Sequence, residues 1–201
     1  MNPNGLQTVA AQMQFSIPAR KTRNNGVAIL LNHLDLITWP GDQEGRILTA
    51  DISIQSRNIH VVNIYAPQCN YSTHNRIHFF DSLYSYTYST HPTILTGDFN
   101  LVENPMLDRD PPSNKKDPTQ SLQDLCSTFN LQDTFRSLYG DTRFFTRRQG
   151  QSQSRLDRFY VDKNFTTSSE RSLPGLSSDH DIVVLDVIAS NHSFPYRFSA
   201  L

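Results

Sequence analysis

The chain has 201 residues, with 18 Lys and Arg against 19 Asp and Glu, a net charge of −1, 37% hydrophobic residues and 18% charged ones. This length suits one domain with a sizeable core rather than two, and the balance of apolar and charged residues excludes a disordered chain. Near-neutrality excludes a global pull on nucleic acid, so any such attraction has to come from local clusters.

In chain order, the start "MNPNGLQTVAAQMQF" has no long apolar stretch behind a basic one, so no signal peptide is expected. "GVAILL" (26–31) suits a short buried strand. "RILTADISIQ" (46–55) alternates, with Ile47, Thr49, Asp51 and Ser53 on one side and Leu48, Ala50, Ile52 and Ile54 on the other. After the polar turn "QSRN" comes "NIHVVNIYAP" (58–67), and the two segments form an antiparallel hairpin. "HNRIHFFDSLYSYTYS" (74–89) carries Ile77, Phe80 and Tyr84 at helical spacing, and "TILTGDF" is the next strand. The Pro- and charge-rich "ENPMLDRDPPSNKKDP" (103–118) reads as a loop. Asp117 is the expected N-cap of a helix with Pro118 at its first position and an apolar stripe of Leu122, Leu125, Cys126 and Phe129. "TRFFTRR" (142–148) and "SRLDRFYV" (154–161) read as strands joined by a flexible "QGQSQ". "SDHDIVVLDVIA" (178–189) is the last strand, and the tail from Ser190 reads as frayed. Strands outnumber helices and the hairpins are antiparallel, which favours a mixed α/β sandwich over a doubly wound parallel sheet.

No apolar run approaches the ~20 residues of a transmembrane helix. Cys69 and Cys126 lack a CxxC spacing and read as reduced thiols of an intracellular protein, with one disulfide as the alternative. The Asn-x-Ser/Thr triplets at Asn70, Asn164 and Asn191 read as chance matches.

Four places put polar groups at the ends of apolar strands: Tyr65 in "NIYAP", Asp98 and Asn100 in "TGDFN", Asp157 in "SRLDRF", and Asp179 with His180 in "SSDHD". Each has a structural explanation of its own. "GDFN" is a turn composition, Tyr65 suits a core aromatic with its hydroxyl at the rim, Asp157 sits between Arg155 and Arg158 as an ion-pair partner would, and "SSDHD" could cap the strand after it. Alternation along a strand nonetheless projects Asp98 and Asn100 to one side, with Phe99 on the other.

In this order and context the segments resemble the endonuclease/exonuclease/phosphatase superfamily, nearest to the endonuclease domain of LINE-type retrotransposons and to apurinic/apyrimidinic endonucleases. The resemblance runs from Gly26 to Ile188 through "GVAILL", "EGR", "NIYAP", "TGDFN", "SRLDRF" and "SDH". It implies a four-layer α/β sandwich of two mostly antiparallel sheets flanked by helices. The expected activity is metal-dependent phosphodiester hydrolysis with Mg²⁺ or Mn²⁺, acting as a DNA endonuclease that nicks a strand or cleaves at abasic sites. By likeness, Asp98 positions or deprotonates the attacking water and Asn100 orients it, while Tyr65 donates to a phosphate oxygen. His180 contacts the scissile phosphate, held in its tautomer by Asp157. Asp98, Asn100, Asp179 and His180 are the expected metal-site residues. Arg143, Arg147, Arg148, Arg155 and Arg158, with Phe144 and Phe145 among them, suit a phosphate-gripping edge, or equally two solvated strands. Arg20, Lys21 and Arg23 form a weaker patch.

The chain departs from the family near its start. "NPNGL" offers Asn2 or Asn4 for the family's first amide, but no Gln-Glu pair follows, and "AAQMQF" supplies only the neutral Gln12 and Gln14. The missing glutamate is a principal metal ligand in the family, so the expectation is a truncated retroelement endonuclease short of a strand and helix. Residues 1–25 would be an irregular remnant, 26–189 the domain and 190–201 a tail. A catalytically impaired nucleic-acid-binding relic and a phosphatase of the same superfamily are the competing readings. DNA is the expected partner, with no membrane, a monomeric state, an origin in a retroelement polyprotein and a nuclear location.

Overall fold

The computed structural model describes residues 14–16, 27–31, 35–38, 41–54, 57–175, 178–188 and 196–200. Three short strands come first: β1 (Gln14–Ser16), β2 (Ile29–Leu31) and β3 (Asp35–Thr38). β1 pairs antiparallel with β2, so the stretch expected to be irregular carries a strand and Gln14 lies in it. Asn2, Asn4, Gln12, Arg20, Lys21 and Arg23 lie outside the described residues.

The alternating segment forms β4 (Ile47–Ile54), paired antiparallel over its whole length with β5 (Arg57–Tyr65) as the expected hairpin. α1 (Thr73–Thr87) follows, with the Ser72 side chain accepting from the Asn75 N–H at its N-cap. The chain then returns as β6 (Thr93–Asp98), parallel to β5. Within the expected loop, β7 (Arg109–Asp110) adds to a small three-stranded sheet. α2 (Gln120–Thr128) is capped from Thr119, which has no side-chain cap bond. Asp117 does not cap it. Its carboxylate accepts the Val102 N–H at 2.9 Å and pairs with Arg76 and Arg109 at 3.1 and 3.5 Å, a stronger use of a charge than one helix amide.

β8 (Leu131–Asp133) and α3 (Thr134–Tyr139) follow without a break. Of the segment 142–148 only its end is a strand, β9 (Arg147–Gln149), which turns back tightly through Gly150 (φ 59°) into β10 (Ser152–Ser154). The chain leaves that sheet at Arg155–Leu156 and starts β11 (Asp157–Asp162), so "SRLDRFYV" is two strands in different sheets. β12 (Thr166–Leu173), β13 (Ile182–Ile188) and β14 (Tyr196–Ala200) form a separate antiparallel sheet. The expected frayed tail is therefore in part a strand, paired with β13.

The main sheet has the order β3-β4-β5-β6-β11-β8, and only β5–β6 is parallel. Strand alternation splits its side chains between two cores. Val62, Ile64, Leu95 and Tyr160 face Phe79, Phe80 and Leu83 of α1 and Leu122 and Leu125 of α2. Ile52, Val61, Ile94, Phe159 and Val161 face Val183, Leu185 and Val187 of β13. The described layers are helices, a six-stranded sheet and a three-stranded sheet, the mixed α/β sandwich the pattern predicts. Among the described residues, no helix is long and apolar enough to cross a membrane, and Cys69 and Cys126 are both free thiols.

Candidate active site

The order of strands in the main sheet brings distant residues to one edge. Parallel β5 and β6 end together, placing Tyr65 beside Asp98, and antiparallel β11 starts there, placing Asp157 on Asp98's other side. Gly97 makes this approach possible. It lies at φ +123°, and a Cβ there would fall 2.0 Å from the Ile64 carbonyl oxygen. The chain then leaves the sheet through Asn100 at φ 47°, a left-handed conformation that Asn tolerates. The Asn100 N–H donates to Asp98 Oδ1 at 2.8 Å, and its Nδ2 donates to the Ala66 carbonyl at 2.8 Å. Its Oδ1 is therefore the amide atom left for a ligand.

His180 sits on the loop before β13, and its Nδ1 meets Asp157 Oδ2 at 2.9 Å, the pairing expected from the sequence. Since a carboxylate only accepts, Nδ1 carries the proton and Nε2 is left for the cleft. The loop is held by backbone: Arg148 N–H donates to the Asp179 carbonyl at 2.7 Å, and Asp181 N–H donates to the Thr146 carbonyl at 2.6 Å. Thr146 was not foreseen. Its hydroxyl donates to Asp157 Oδ2 at 2.7 Å and accepts the N–H groups of Leu156 and Asp157 at 3.0 Å each. Nothing in "FFTRR" distinguishes it from any strand threonine, because its partners are set by the fold.

Asp98, Asp157 and His180 each bring one donor atom into a group whose members all lie within 4.8 Å of one another. Asp157 is fully buried, and its Oδ1 has no hydrogen-bond partner among the described residues. A buried, unpartnered carboxylate oxygen beside a second carboxylate is costly unless a cation sits there. Oxygen donors from Asp98, Asp157 and Asn100 suit a hard divalent ion. Asp179 lines the same cleft but is paired with Arg147 at 2.8 Å. The carboxylates that line the cleft are Asp98, Asp157 and Asp179, with no glutamate among the described lining residues.

Burial first, and then the charge of Asp157, pushes the Asp98 carboxyl up to about 6, against the pull of the Asn100 N–H, His180 and Arg147. Burial is also the largest influence on His180 and lowers its pKa. The hydrogen bond and charge of Asp157, with Asp98 and Asp179 behind, outweigh it and hold the imidazole above its ordinary value. Asp179 is held below the carboxylate range because the hydrogen bond and charge of Arg147 overcome its slight burial. The cleft these groups share has a volume of about 550 Å³, and Gln68, Cys69, Gln149 and Ser178 complete its lining.

The arginines divide. Arg147 lines the cleft, while Arg143 and Arg148 are exposed or nearly so, paired with Asp110 and Asp181. Arg155 and Arg158 do not form a phosphate-gripping edge: they are 1% and 0% exposed. Arg155 is held by Asp108 at 2.8 Å and Asp133 at 2.6 Å, and Arg158 donates to the carbonyls of Leu101 and Arg155. A guanidinium locked inside the protein cannot reach a nucleic-acid backbone. Phe144 likewise stacks on Phe135, at 4.2 Å between ring centres, rather than facing solvent.

Comparison with known proteins bears on the family and the fold. The Endonuclease/Exonuclease/phosphatase family matches residues 15–180. A Xenopus laevis relative, the transposon TX1 uncharacterized 149 kDa protein, is 32% identical over 150 residues, covering 70% of this chain and 11% of its own length. Among solved structures, the AP endonuclease LMAP from Leishmania major superposes with a TM-score of 0.57 at 22% identity, over 70% of this chain and 54% of that one. The endonuclease domain of TRAS1, a telomere-specific non-LTR retrotransposon, superposes with a TM-score of 0.55 at 18% identity, over 77% of this chain and 67% of that one. These two likenesses concern the fold, and the chain spans a small part of the transposon relative and about half of LMAP.

Proposed function

We propose that this chain, which belongs to the Endonuclease/Exonuclease/phosphatase family, is the endonuclease portion of a retroelement protein and hydrolyses phosphodiester bonds of DNA with a divalent cation, Mg²⁺ or Mn²⁺. The observation that carries this reading is the convergence of Asp98, Asp157 and His180 on one cleft with a buried carboxylate oxygen left unpartnered. Relatedness to a transposon protein and likeness to a retrotransposon endonuclease domain favour DNA over a lipid headgroup.

Asp98, Asn100 and Asp157 would hold the ion, which when bound supplies positive charge against the phosphate oxygens. The chain's own groups do the rest. Asp98, with its Oδ1 held by the Asn100 N–H, is placed to position an attacking water or take a proton from it. Asp157 orients His180 and helps to hold its pKa above the ordinary value, so the imidazolium form, protonated on both nitrogens, can donate from Nε2 to the phosphate as negative charge builds there. Tyr65 accepts from Gln68 Nε2 at 2.9 Å, which leaves its own hydroxyl proton for a phosphate oxygen.

Nicking of supercoiled plasmid with Mg²⁺ or Mn²⁺, abolished by chelator and reduced at least 100-fold in Asp98→Ala, is the expected result. DNA binding without any nicking would replace this reading by that of a binding relic, which the glutamate-free lining of the cleft favours. Release of phosphate from lipid headgroups instead of DNA cleavage would replace it by a phosphatase.

A further inference from the structure

We propose that Tyr71, backed by Arg46, is a stacking platform for an unpaired nucleobase next to the bond being cleaved. The proposal rests on the reading of the cleft as a DNA phosphodiesterase site.

Arg46 is only 4% exposed, and its guanidinium carbon lies 5.4 Å from the ring centres of both Tyr65 and Tyr71. It donates from one terminal nitrogen to the Tyr65 carbonyl at 3.2 Å and from the other to the Tyr71 hydroxyl at 3.2 Å. The Tyr65 N–H in turn donates to the Arg46 carbonyl at 2.8 Å. A buried cation thus links the cleft tyrosine to a second tyrosine. Tyr71 closes a turn with its N–H on the Gln68 carbonyl at 3.0 Å, and Gln68 and Cys69 of that turn line the cleft. Tyr71 is the outward member of the set, 43% exposed.

A ring held by a cation and a hydrogen bond, yet still 43% exposed, loses little freedom when a flat ligand lands on it. Its position beside the phosphate-handling residues selects that ligand. A strand whose phosphate lies against Tyr65 and His180 carries bases within reach of the next rim residue. Bases inside a duplex already stack on both faces, so the one available to Tyr71 is unpaired, as at a nick, flap or frayed end. Every base has a stacking face, so the platform reads the unpaired state and is indifferent to sequence. Were Arg46 and Tyr71 only a structural tie, the hydroxyl and the cation–ring contact would matter and the ring's exposed surface would not.

The test uses the full chain and oligonucleotide duplexes carrying 2-aminopurine, either paired or unpaired, beside the cleaved bond. Quenching of the unpaired probe on binding is expected, together with preferential cleavage of that substrate. Tyr71→Leu and, as a second variant, Tyr71→Gln are expected to raise KM for it by roughly 5- to 100-fold and abolish the quenching, whereas Tyr71→Phe retains both. An unquenched probe in the wild type, or a leucine variant that keeps the preference, overturns the proposal while plasmid nicking still stands. A wild type that neither binds nor cleaves DNA overturns the underlying reading and this proposal with it.

Discussion

Asp157 concentrates the demands on the site in one carboxylate. Its Oδ2 serves both His180 and the Thr146 hydroxyl, and that hydroxyl is the acceptor for two backbone amides. Replacing Thr146 by Val keeps the volume but strands two buried N–H groups and frees Asp157 to rotate. We expect a loss of about 2–4 kcal/mol in urea unfolding, with a fall in kcat that Thr146→Ser restores. Equal kcat in the valine variant would show that Asp157 is held without it. Glu170 gives a second test at this scale. It is 3% exposed, accepts from the Thr134 hydroxyl, and leaves Oε1 unpartnered among the described residues. Burial is the main cause that pushes it from 4.5 up to about 8, with Asp133 adding to the rise and Thr134, Arg155 and Arg158 opposing it. The folded state therefore holds this proton more tightly than the unfolded chain does. Its contribution is complete below pH 4.5 and is lost as pH rises through 8. Thermal melts of Glu170→Gln and wild type should coincide near the lower limit, and the variant should be more stable near pH 9 by on the order of a few kcal/mol. A pH-independent difference would mean that Glu170 is not the group that titrates.

Elements with strong side-chain periodicity were legible from sequence, and those without it were not. β4, β5, α1, β6 and β13 follow from apolar runs and alternation, because burial on one or two faces leaves that trace. β12 reads "TTSSERSL", with only Glu170 fully buried, and no hydropathy signal marks such a strand. It is a strand because β13 offers it a ladder from Thr166 to Leu173. The cap of α2 failed for a related reason: Asp117 had two arginines to choose from, one of them 41 positions away. Gly97 belongs to this scale, since its role is the spacing of β5 and β6. Gly97→Ala would force a Cβ into the Ile64 backbone in a conformation L-residues rarely adopt. We expect destabilisation of about 3 kcal/mol or more and loss of nicking beyond what the melting temperature explains, as Asp98 moves from Tyr65. A variant with unchanged melting would show that the two strands can part without cost.

Across the whole molecule, the sequence discloses the polar groups gathered at strand ends but not the charges that hold the sheets in place. Tyr65, Asp98, Asn100, Asp157 and His180 were readable because each closes or opens a strand in a recognisable segment, and all line one cleft. Arg155 and Arg158 looked like surface cations because nothing local says that a buried carboxylate awaits them. That carboxylate, Asp108, lies in the Pro-rich segment 47 positions before Arg155 and is fully buried. It accepts from Arg155 and Arg136, lies 3.9 Å from Arg158, and is held below the carboxylate range by Arg158 and Arg155 despite its burial. Its backbone carbonyl also receives the Arg155 N–H at 2.9 Å. The loop 103–118 is thereby fastened under the start of β11, where Asp157 stands. Asp108→Ala leaves Arg155 with Asp133 alone and Arg158 without a carboxylate within 4 Å among its described ion pairs. Removing one member of a buried charge set typically costs about 3–5 kcal/mol, a large share of a small domain's stability. The expected result is a urea midpoint lowered accordingly, with nicking lost in proportion to unfolding. A variant of wild-type stability would show that Asp133 and the carbonyl oxygens suffice for the guanidinium groups, and that the loop is not what holds Asp157 in register.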